Sequence, residues 1–393
     1  MTGLISIVNG DALHIPLRDG VVQIVVTSPP YWSLRDYGVN GQLGIEPTPE
    51  AYIANMVAVF REVWRVMRPD GTLWLNIGDC YNSASAGNGI SFRRDRAKVA
   101  PIKSKRIERG GGRYGGGNAR VETLKPKDLM MMPARLALAL QADGWWIRSD
   151  IIWAKPNPMP ESVTDRPTKS YEHIFLLTKA EHYYFDADAI REKTGNEMSA
   201  EEYAARTAPG KTWQSGGMTR YAGANKHDGG HSHPSGRNRR DVWTIATESF
   251  SGAHFATFPQ KLVEPMILAG SSPQACETCG APWERVVSKE FLQSGPEREH
   301  ISGGTQPGAN GWVGMPRGNT EAITLGWQPT CACPPERNTG AGRCIVLDPF
   351  AGTCTVGKVA IKHGRRFVGL ELKSEYIALA RERTDHTQMV MQV

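Results

Sequence analysis

Short apolar runs broken by turn signals open the chain. Leu4–Val8 is followed by Asn9-Gly10-Asp11 and then by Val21–Val26, where four valines and an isoleucine surround a single glutamine. Runs this continuous are what strands buried on both faces of a parallel sheet require. The period then changes. Between Ala51 and Arg68, the residues Ile53, Val57, Phe60, Val63, Trp64 and Met67 recur at helical spacing; Pro69-Asp70-Gly71 predicts a stop, and Thr72–Ile77 reads as another strand. Further along, the pattern predicts a helix over Pro126–Gln141, strands over Trp145–Lys155 and Ser170–Thr178, and a helix over Gln260–Ala269. It ends with a strand over Cys344–Leu347, a helix from about Thr355, a strand over Arg366–Leu370 and a helix over Ser374–Arg383. Strands alternating with helices imply an α/β sheet.

Two polar stretches interrupt this alternation. Residues 83–121, including the run RGGGRYGGGNAR, carry too few apolar side chains for a core and read as a mobile loop. Residues 195–240 combine Gly, His and Arg with Tyr203, Trp213 and Tyr221, and read as an inserted recognition segment rather than scaffold.

At 393 residues the chain is long enough for about two to three structural units. Hydrophobic residues at 40% and charged residues at 22% are ordinary for a folded globular protein and exclude fibrous or wholly disordered classes. The longest apolar stretches are cut by charges well short of the roughly 18 residues a membrane span needs. The N-terminal MTGLISIVNGDAL has no basic leader and an early acid, so no secretory signal and a cytoplasmic location are expected. Seven cysteines without an export signal point to reduced thiols or metal ligands. Net charge is only +6, yet residues 91–127 hold twelve Lys/Arg against three Asp/Glu. A positive field so concentrated suits a polyanion.

The run Val25-Val26-Thr27-Ser28-Pro29-Pro30-Tyr31-Trp32 ends the second strand, at the edge where open α/β sheets place ligands. Each proline fixes its own φ and restricts the residue before it, so Ser28 and Pro29 present a preset row of acceptors. Tyr31 and Trp32 are expected to add flat aromatic surface for a base taken out of its stack. This run resembles the amino-methylating DNA methyltransferases, whose catalytic motif is (D/N/S)PP(Y/F) and whose Ser-Pro-Pro-Tyr version is most often found on cytosine-N4 enzymes. The resemblance implies direct methyl transfer, with Ser28 and the Pro29 carbonyl bonding the hydrogens of an exocyclic amine, Pro30 fixing the turn and Tyr31 stacking on the flipped base. No cysteine follows a proline, so the nucleophile of a carbon-5 cytosine enzyme is lacking.

The other end of the chain completes the likeness. Ile345–Gly357 reads as strand, tight turn and helix start, with Gly352 allowing close backbone approach and a helix N-terminus offering free N–H groups. It resembles the DPFxGxG motif that binds S-adenosylmethionine in the same family, on Asp348, Pro349, Phe350, Gly352, Thr353 and Thr355. Glu371, ending the next strand, stands where an acid usually bonds a ribose diol. Cys354 replaces the motif's second glycine, and its Cβ costs energy if that position needs positive φ. Asn9-Gly10-Asp11 resembles the family's acid-bearing turn near the adenine, placing Asp11 there. His254–Pro259 resembles its cofactor-pocket block, adding Thr257 and Phe258, and Trp153–Pro160 with Arg166–Glu172 resembles the segments lining its target-base pocket. The catalytic block precedes the cofactor block, which is the permuted β-class order.

Cys276-Glu277-Thr278-Cys279 is a CxxC knuckle, and Cys331-Ala332-Cys333 offers a second pair. Four thiolates in two close pairs can close a tetrahedral structural zinc site; without metal they are reduced thiols. Cys80 and Cys344 read as strand-end core residues. Arg93, Arg94, Arg96, Lys103, Lys105, Arg106, Arg109 and Arg113 are placed to neutralise phosphates, and Arg237, Arg239 and Arg240, with Trp213 and Tyr221, to read bases. His227, His231 and His233 read as solvated.

The fold implied is a Rossmann-like α/β sheet of the S-adenosylmethionine-dependent methyltransferases with inserted recognition and zinc-knuckle segments. Its expected divisions are a catalytic half (1–82), a basic Gly-rich loop (83–125) and a continuation (126–190), then a recognition insert (191–245), the cofactor-pocket helix (246–271), a Cys-bearing insert (272–340) and the cofactor half (341–393). The activity implied is methylation of cytosine N4 in double-stranded DNA, with adenine N6 and a zinc-containing DNA-binding module without catalysis as alternatives. A solitary or phage-type enzyme and the modification partner of a restriction endonuclease are both compatible with the sequence, and oligomeric state is left open.

Overall fold

In a computed structural model, residues 4–82, 124–193, 236–248, 258–292 and 319–390 are described. They fall into two units, one built from 1–186, 240–283 and 329–393, the other from 187–239 and 284–328. The first holds an eight-stranded sheet. Its strands are β1 (Ile5–Asn9), β2 (Val22–Thr27), β3 (Met67–Ile77), β4 (Trp146–Ala154), β5 (Tyr171–Thr178), β6 (Val242–Thr244), β9 (Ile345–Asp348) and β10 (Arg366–Glu371), in the spatial order β1-β10-β9-β2-β3-β5-β4-β6. From β1 to β3 the neighbours run parallel; β5 is antiparallel to β3 and β4, and β6 is parallel to β4. β7 (Trp283–Leu292) and β8 (Asn319–Pro329) form a separate two-stranded sheet.

All six residues of β2 are buried, as the largely apolar run predicts for a central strand covered on both faces, Gln23 among them with its Nε2 donating to the Asp70 carbonyl at 3.2 Å. One cover is α1 (Pro49–Val66), capped by the Thr48 hydroxyl accepting from the Ala51 N–H at 3.1 Å, with Pro49 preset for the first turn. It buries Tyr52, Met56, Val59, Phe60, Val63 and Val66. α2 (Met132–Ala142) follows along the chain. α3 (Gln260–Gly270) packs against β2 and β3 so closely that a Cβ on Gly270 would lie 2.5 Å from Ile24 and 2.6 Å from Thr72. α4 (Thr355–Lys362) and α5 (Ser374–Val390) complete the α-helices among the described residues.

Two sequence expectations shift. Pro69-Asp70-Gly71 does not separate helix from strand; α1 ends at Val66 and β3 begins at once. The pairing with β2 jumps from Val22↔Met67 to Ile24↔Thr72, so the Pro-Asp-Gly run is the extra length of a bulge. Gly71 has no room for a side chain, since its Cβ would sit 2.9 Å from the Gln23 carbonyl. The helix expected from Pro126 starts at Met132, because the preceding residues pair with the chain after β3: Met130 N–H donates to Cys80 O and Asn82 N–H to Asp128 O, both at 2.9 Å. The Asp79 carboxylate then accepts from the Met132 N–H at 2.9 Å and serves as a cap from outside the helix. Cys80 and Cys344 are buried, as expected. No helix among the described residues is long and apolar enough to cross a membrane.

One adjacency positions everything that follows. β2 and β9 lie side by side and parallel, Ile24 against Val346 and Val25 against Leu347. Residues more than 300 apart in sequence therefore leave the sheet at the same edge.

Candidate active site

Thr27, the last residue of β2, donates its hydroxyl to Asp348 Oδ1 at 2.7 Å across that adjacency, and both residues are buried. The Phe350 N–H adds a second bond to the same oxygen at 3.0 Å. Burial nevertheless pushes the Asp348 carboxyl up to about 7, against the opposing pull of these two donors. A carboxyl whose folded value is raised gives stability that is intact near pH 4 and lost as pH climbs toward 7, where the unfolded chain is already ionised. Asp348→Asn keeps an oxygen for Thr27 and Phe350 but cannot ionise. Denaturant unfolding at pH 5 and pH 7.5 is expected to show that the wild type loses more stability over this interval than Asp348→Asn, by about 2–3 kcal/mol. Parallel curves for the two proteins would show that Asp348 does not titrate there.

Ser28 to Tyr31 follow directly. The Pro30 carbonyl accepts from the Tyr52 hydroxyl at 3.0 Å, which ties the turn to α1. Ser28 Oγ donates to the Tyr31 hydroxyl at 3.3 Å, leaving both serine lone pairs unspent. Tyr31 donates to Glu172 Oε2 at 2.7 Å; Asn76 Nδ2 donates to the same oxygen at 3.1 Å, and Lys155 Nζ pairs with Oε1. Burial first, and the Glu172 charge second, push the Tyr31 phenol far above its ordinary value, so it is a neutral donor. Gly78 makes room for the ring, since a Cβ there would approach Tyr31 Cε2 to 2.6 Å. Trp32 does not share this surface. It is only 2% exposed, with its indole N–H on the Glu46 carbonyl at 2.9 Å, and it belongs to the core beneath the turn.

On the β9 side, Gly352 has a φ of +50° and donates its N–H to Glu371 Oε2 at 2.9 Å; Glu371 Oε1 accepts from the Lys373 N–H at 2.9 Å. Burial raises the Glu371 carboxyl above its usual range. Cys354 does adopt positive φ, at 64°, where a glycine would be free of strain, and its side chain is fully buried. Thr353 accepts at both its carbonyl and its hydroxyl from Arg383, at 2.7 and 2.5 Å.

The two motifs open into one cavity of about 800 Å³. It is faced by the whole Ser28–Tyr31 turn and by Asp11, Phe258, Asp348, Pro349, Phe350, Gly352, Thr353, Thr355 and Glu371, every proposed catalytic or cofactor residue except Thr257, which lies outside the described residues. Trp153, Lys155 and Asn157–Pro160 also line it. Individual residues that the motifs did not single out include Asn76, Tyr37, Lys373 and Tyr376. Asn76 left a signal, as the one polar residue in the apolar run of β3 after Thr72; the others left none. The basic residues 93–113, Trp213, Tyr221 and the three histidines lie outside the described residues. Arg237 is described within the second unit, where it pairs with Glu192 at 3.2 Å.

Away from the cavity, the sulfurs of Cys276, Cys279, Cys331 and Cys333 all lie within 4.8 Å of one another. Tetrahedral coordination with bonds of about 2.3 Å sets sulfurs about 3.8 Å apart, so the four thiols fit one soft metal ion. Gly280, at φ +71°, turns the knuckle and returns its N–H to the Cys276 carbonyl at 2.9 Å. Arg68, at the start of β3, donates to the Cys279 carbonyl at 2.8 Å.

A family model described as DNA methylase, covering N6 and N4 enzymes, matches residues 22–276 and 341–382. The chain is 35% identical over 377 residues to the type II methyltransferase M.Cfr9I of Citrobacter freundii, covering 95% of this chain and 86% of that one. It is 36% identical over 383 residues to M.XycI of Xanthomonas campestris pv. cyanopsidis, covering 96% and 87%. To M.SmaI of Serratia marcescens it is 35% identical over 380 residues, covering 96% and 90%. A match of this extent, on a sheet that brings the Ser-Pro-Pro-Tyr and Asp-Pro-Phe turns to one cavity, makes the chain a member of the N6/N4 DNA methylase family and a DNA methyltransferase.

Proposed function

We propose that the protein methylates the exocyclic N4 of cytosine in double-stranded DNA, taking the methyl group from S-adenosylmethionine after the target base is flipped into the cavity. One observation carries this reading: the acceptor-bearing turn Ser28–Tyr31 and the Asp348–Thr355 turn face each other across one space, joined at their base by the Thr27–Asp348 bond.

The residues on the second side suit S-adenosylmethionine. Gly352 opens the backbone to a ligand, with no atom nearer than 4.0 Å to where a Cβ would stand. Glu371 and Asp11 offer acids for a ribose diol and an adenine amine, and Phe258 and Phe350 offer apolar surface. Bound there, S-adenosylmethionine supplies an electrophilic methyl group. The amine's lone pair is conjugated into its ring, so the work of this chain's residues is to localise it. Ser28 spends its proton on Tyr31 and turns lone pairs to one amine hydrogen, the Pro29 carbonyl takes the other, and Tyr31 stacks on the base. The serine at the first motif position favours cytosine N4 over adenine N6 by its association within the family.

Because its relatives are type II methyltransferases, we assign the protein to the modification side of a restriction system, with a cognate endonuclease as partner. We also assign a structural zinc ion to Cys276, Cys279, Cys331 and Cys333. The test is to incubate the protein with S-adenosylmethionine and unmodified genomic DNA and to analyse the nucleosides by mass spectrometry. N4-methylcytosine is expected. N6-methyladenine would overturn the base assignment, and no methylated nucleoside would favour a binding module without catalysis.

A further inference from the structure

Met159 is the most exposed large apolar side chain among the described residues, at 86% of its full surface, and it stands on the rim of the cavity. Single exposed apolar residues are common and mean little by themselves. What sets this one apart is the backbone that holds it. It lies in Lys155-Pro156-Asn157-Pro158-Met159-Pro160, where three prolines fix their own φ and restrict the backbone of Asn157 and Met159 before them. The segment is tied at its root by the Lys155 N–H on Ser170 O at 2.8 Å and by the Lys155–Glu172 ion pair. Midway, Asn157 Oδ1 accepts from the Thr247 N–H at 2.9 Å. A backbone stiffened and anchored in this way fixes where the methionine leaves the chain. The side chain is exposed there, beside the opening that leads to Ser28 and Tyr31.

We propose that Met159 is a wedge that enters the base stack of the duplex and fills the gap left by the flipped target base. Apolar side chains inserted between base steps unstack them, and an unbranched, polarisable thioether adapts to an irregular gap better than a branched residue does. The rigid loop matters because a wedge that must first be ordered would lose that ordering entropy on every encounter. The rim position matters because the gap in the stack lies beside the pocket that receives the base. This inference rests on the base-flipping reading above.

The test uses the full chain and duplex oligonucleotides bearing the sequence that mapping of methylated genomic DNA identifies. In one duplex the target base is paired, and in the other it faces an abasic site and has no partner to leave. Single-turnover methylation by Met159→Ala is expected to be slower than wild type by about tenfold or more on the paired duplex and within about twofold on the unpaired one. Met159→Leu, which keeps an apolar wedge, is expected to retain most of the rate on both. Equal rates for Met159→Ala and wild type on the paired duplex would overturn the wedge, as would an equal loss on both duplexes. A wild type that methylates neither duplex would instead overturn the functional reading, and the wedge with it.

Discussion

Tyr31→Ala is expected to lower methyl transfer by about 100-fold or more, while S-adenosylmethionine affinity, read by calorimetry, stays within about twofold. Three losses fall together in this variant. The proposed stacking surface for the base is removed, Ser28 loses the acceptor of its hydroxyl at 3.3 Å, and Glu172 loses the 2.7 Å donor that shares Oε2 with Asn76. None of these contacts involves the Gly352 or Glu371 side of the cavity, which is why cofactor affinity should survive. Tyr31→Phe separates the parts, since it keeps the ring and removes only the hydroxyl. Its rate is expected to lie between wild type and Tyr31→Ala. A Tyr31→Ala protein that turns over at the wild-type rate would remove Tyr31 from the chemistry, and one that no longer binds S-adenosylmethionine would show that the two sides of the cavity are not independent.

Much of the framework and most of the residues that line the candidate cavity were legible in the sequence, for a physical reason. A central parallel strand is predominantly apolar, and a turn that presents backbone to a ligand favours proline or glycine, so β2, Ser28–Tyr31 and Asp348–Gly352 announce themselves locally. The contact that joins them was not legible. Thr27 and Asp348 meet because β2 pairs with β9, and strand order is a property of the whole sheet. The same holds for Glu172, whose three donors come from β3, the end of β4 and the turn after β2. Trp32 misled because an aromatic beside a binding motif reads the same whether it faces ligand or core; only the Glu46 carbonyl placed opposite its N–H decides. Pro69-Asp70-Gly71 misled because a β-bulge and a turn call for the same residues.

Removing the proposed zinc ion from the cysteine cluster is expected to destabilise the protein while leaving the cavity competent. Purified without chelators, the protein should carry about one zinc per chain. The two cysteine pairs stand at the roots of β7 and β8, with some fifty residues between Cys279 and Cys331. Closing a loop of that length in the unfolded chain is worth about 4 kcal/mol by the chain-entropy account of a cross-link. A fall in melting temperature of about 5 °C is therefore expected with a strong chelator or in Cys276→Ser. The sheet has its own buried core, so the loss is expected to stop well short of the complete unfolding seen when zinc is removed from a zinc-finger peptide. None of the four cysteines lines the cavity, and the knuckle meets the sheet at the starts of two strands, through Arg68 on β3 and through Ala275, whose N–H donates to Gly342 O at 3.0 Å just before β9, rather than at the Asn76 and Asp348 ends that face the cavity. S-adenosylmethionine should accordingly bind the metal-free protein below its melting temperature as it binds the intact one. A chain that carries no zinc, and whose melting is untouched by both chelator and Cys276→Ser, would reduce the cluster to four neighbouring thiols.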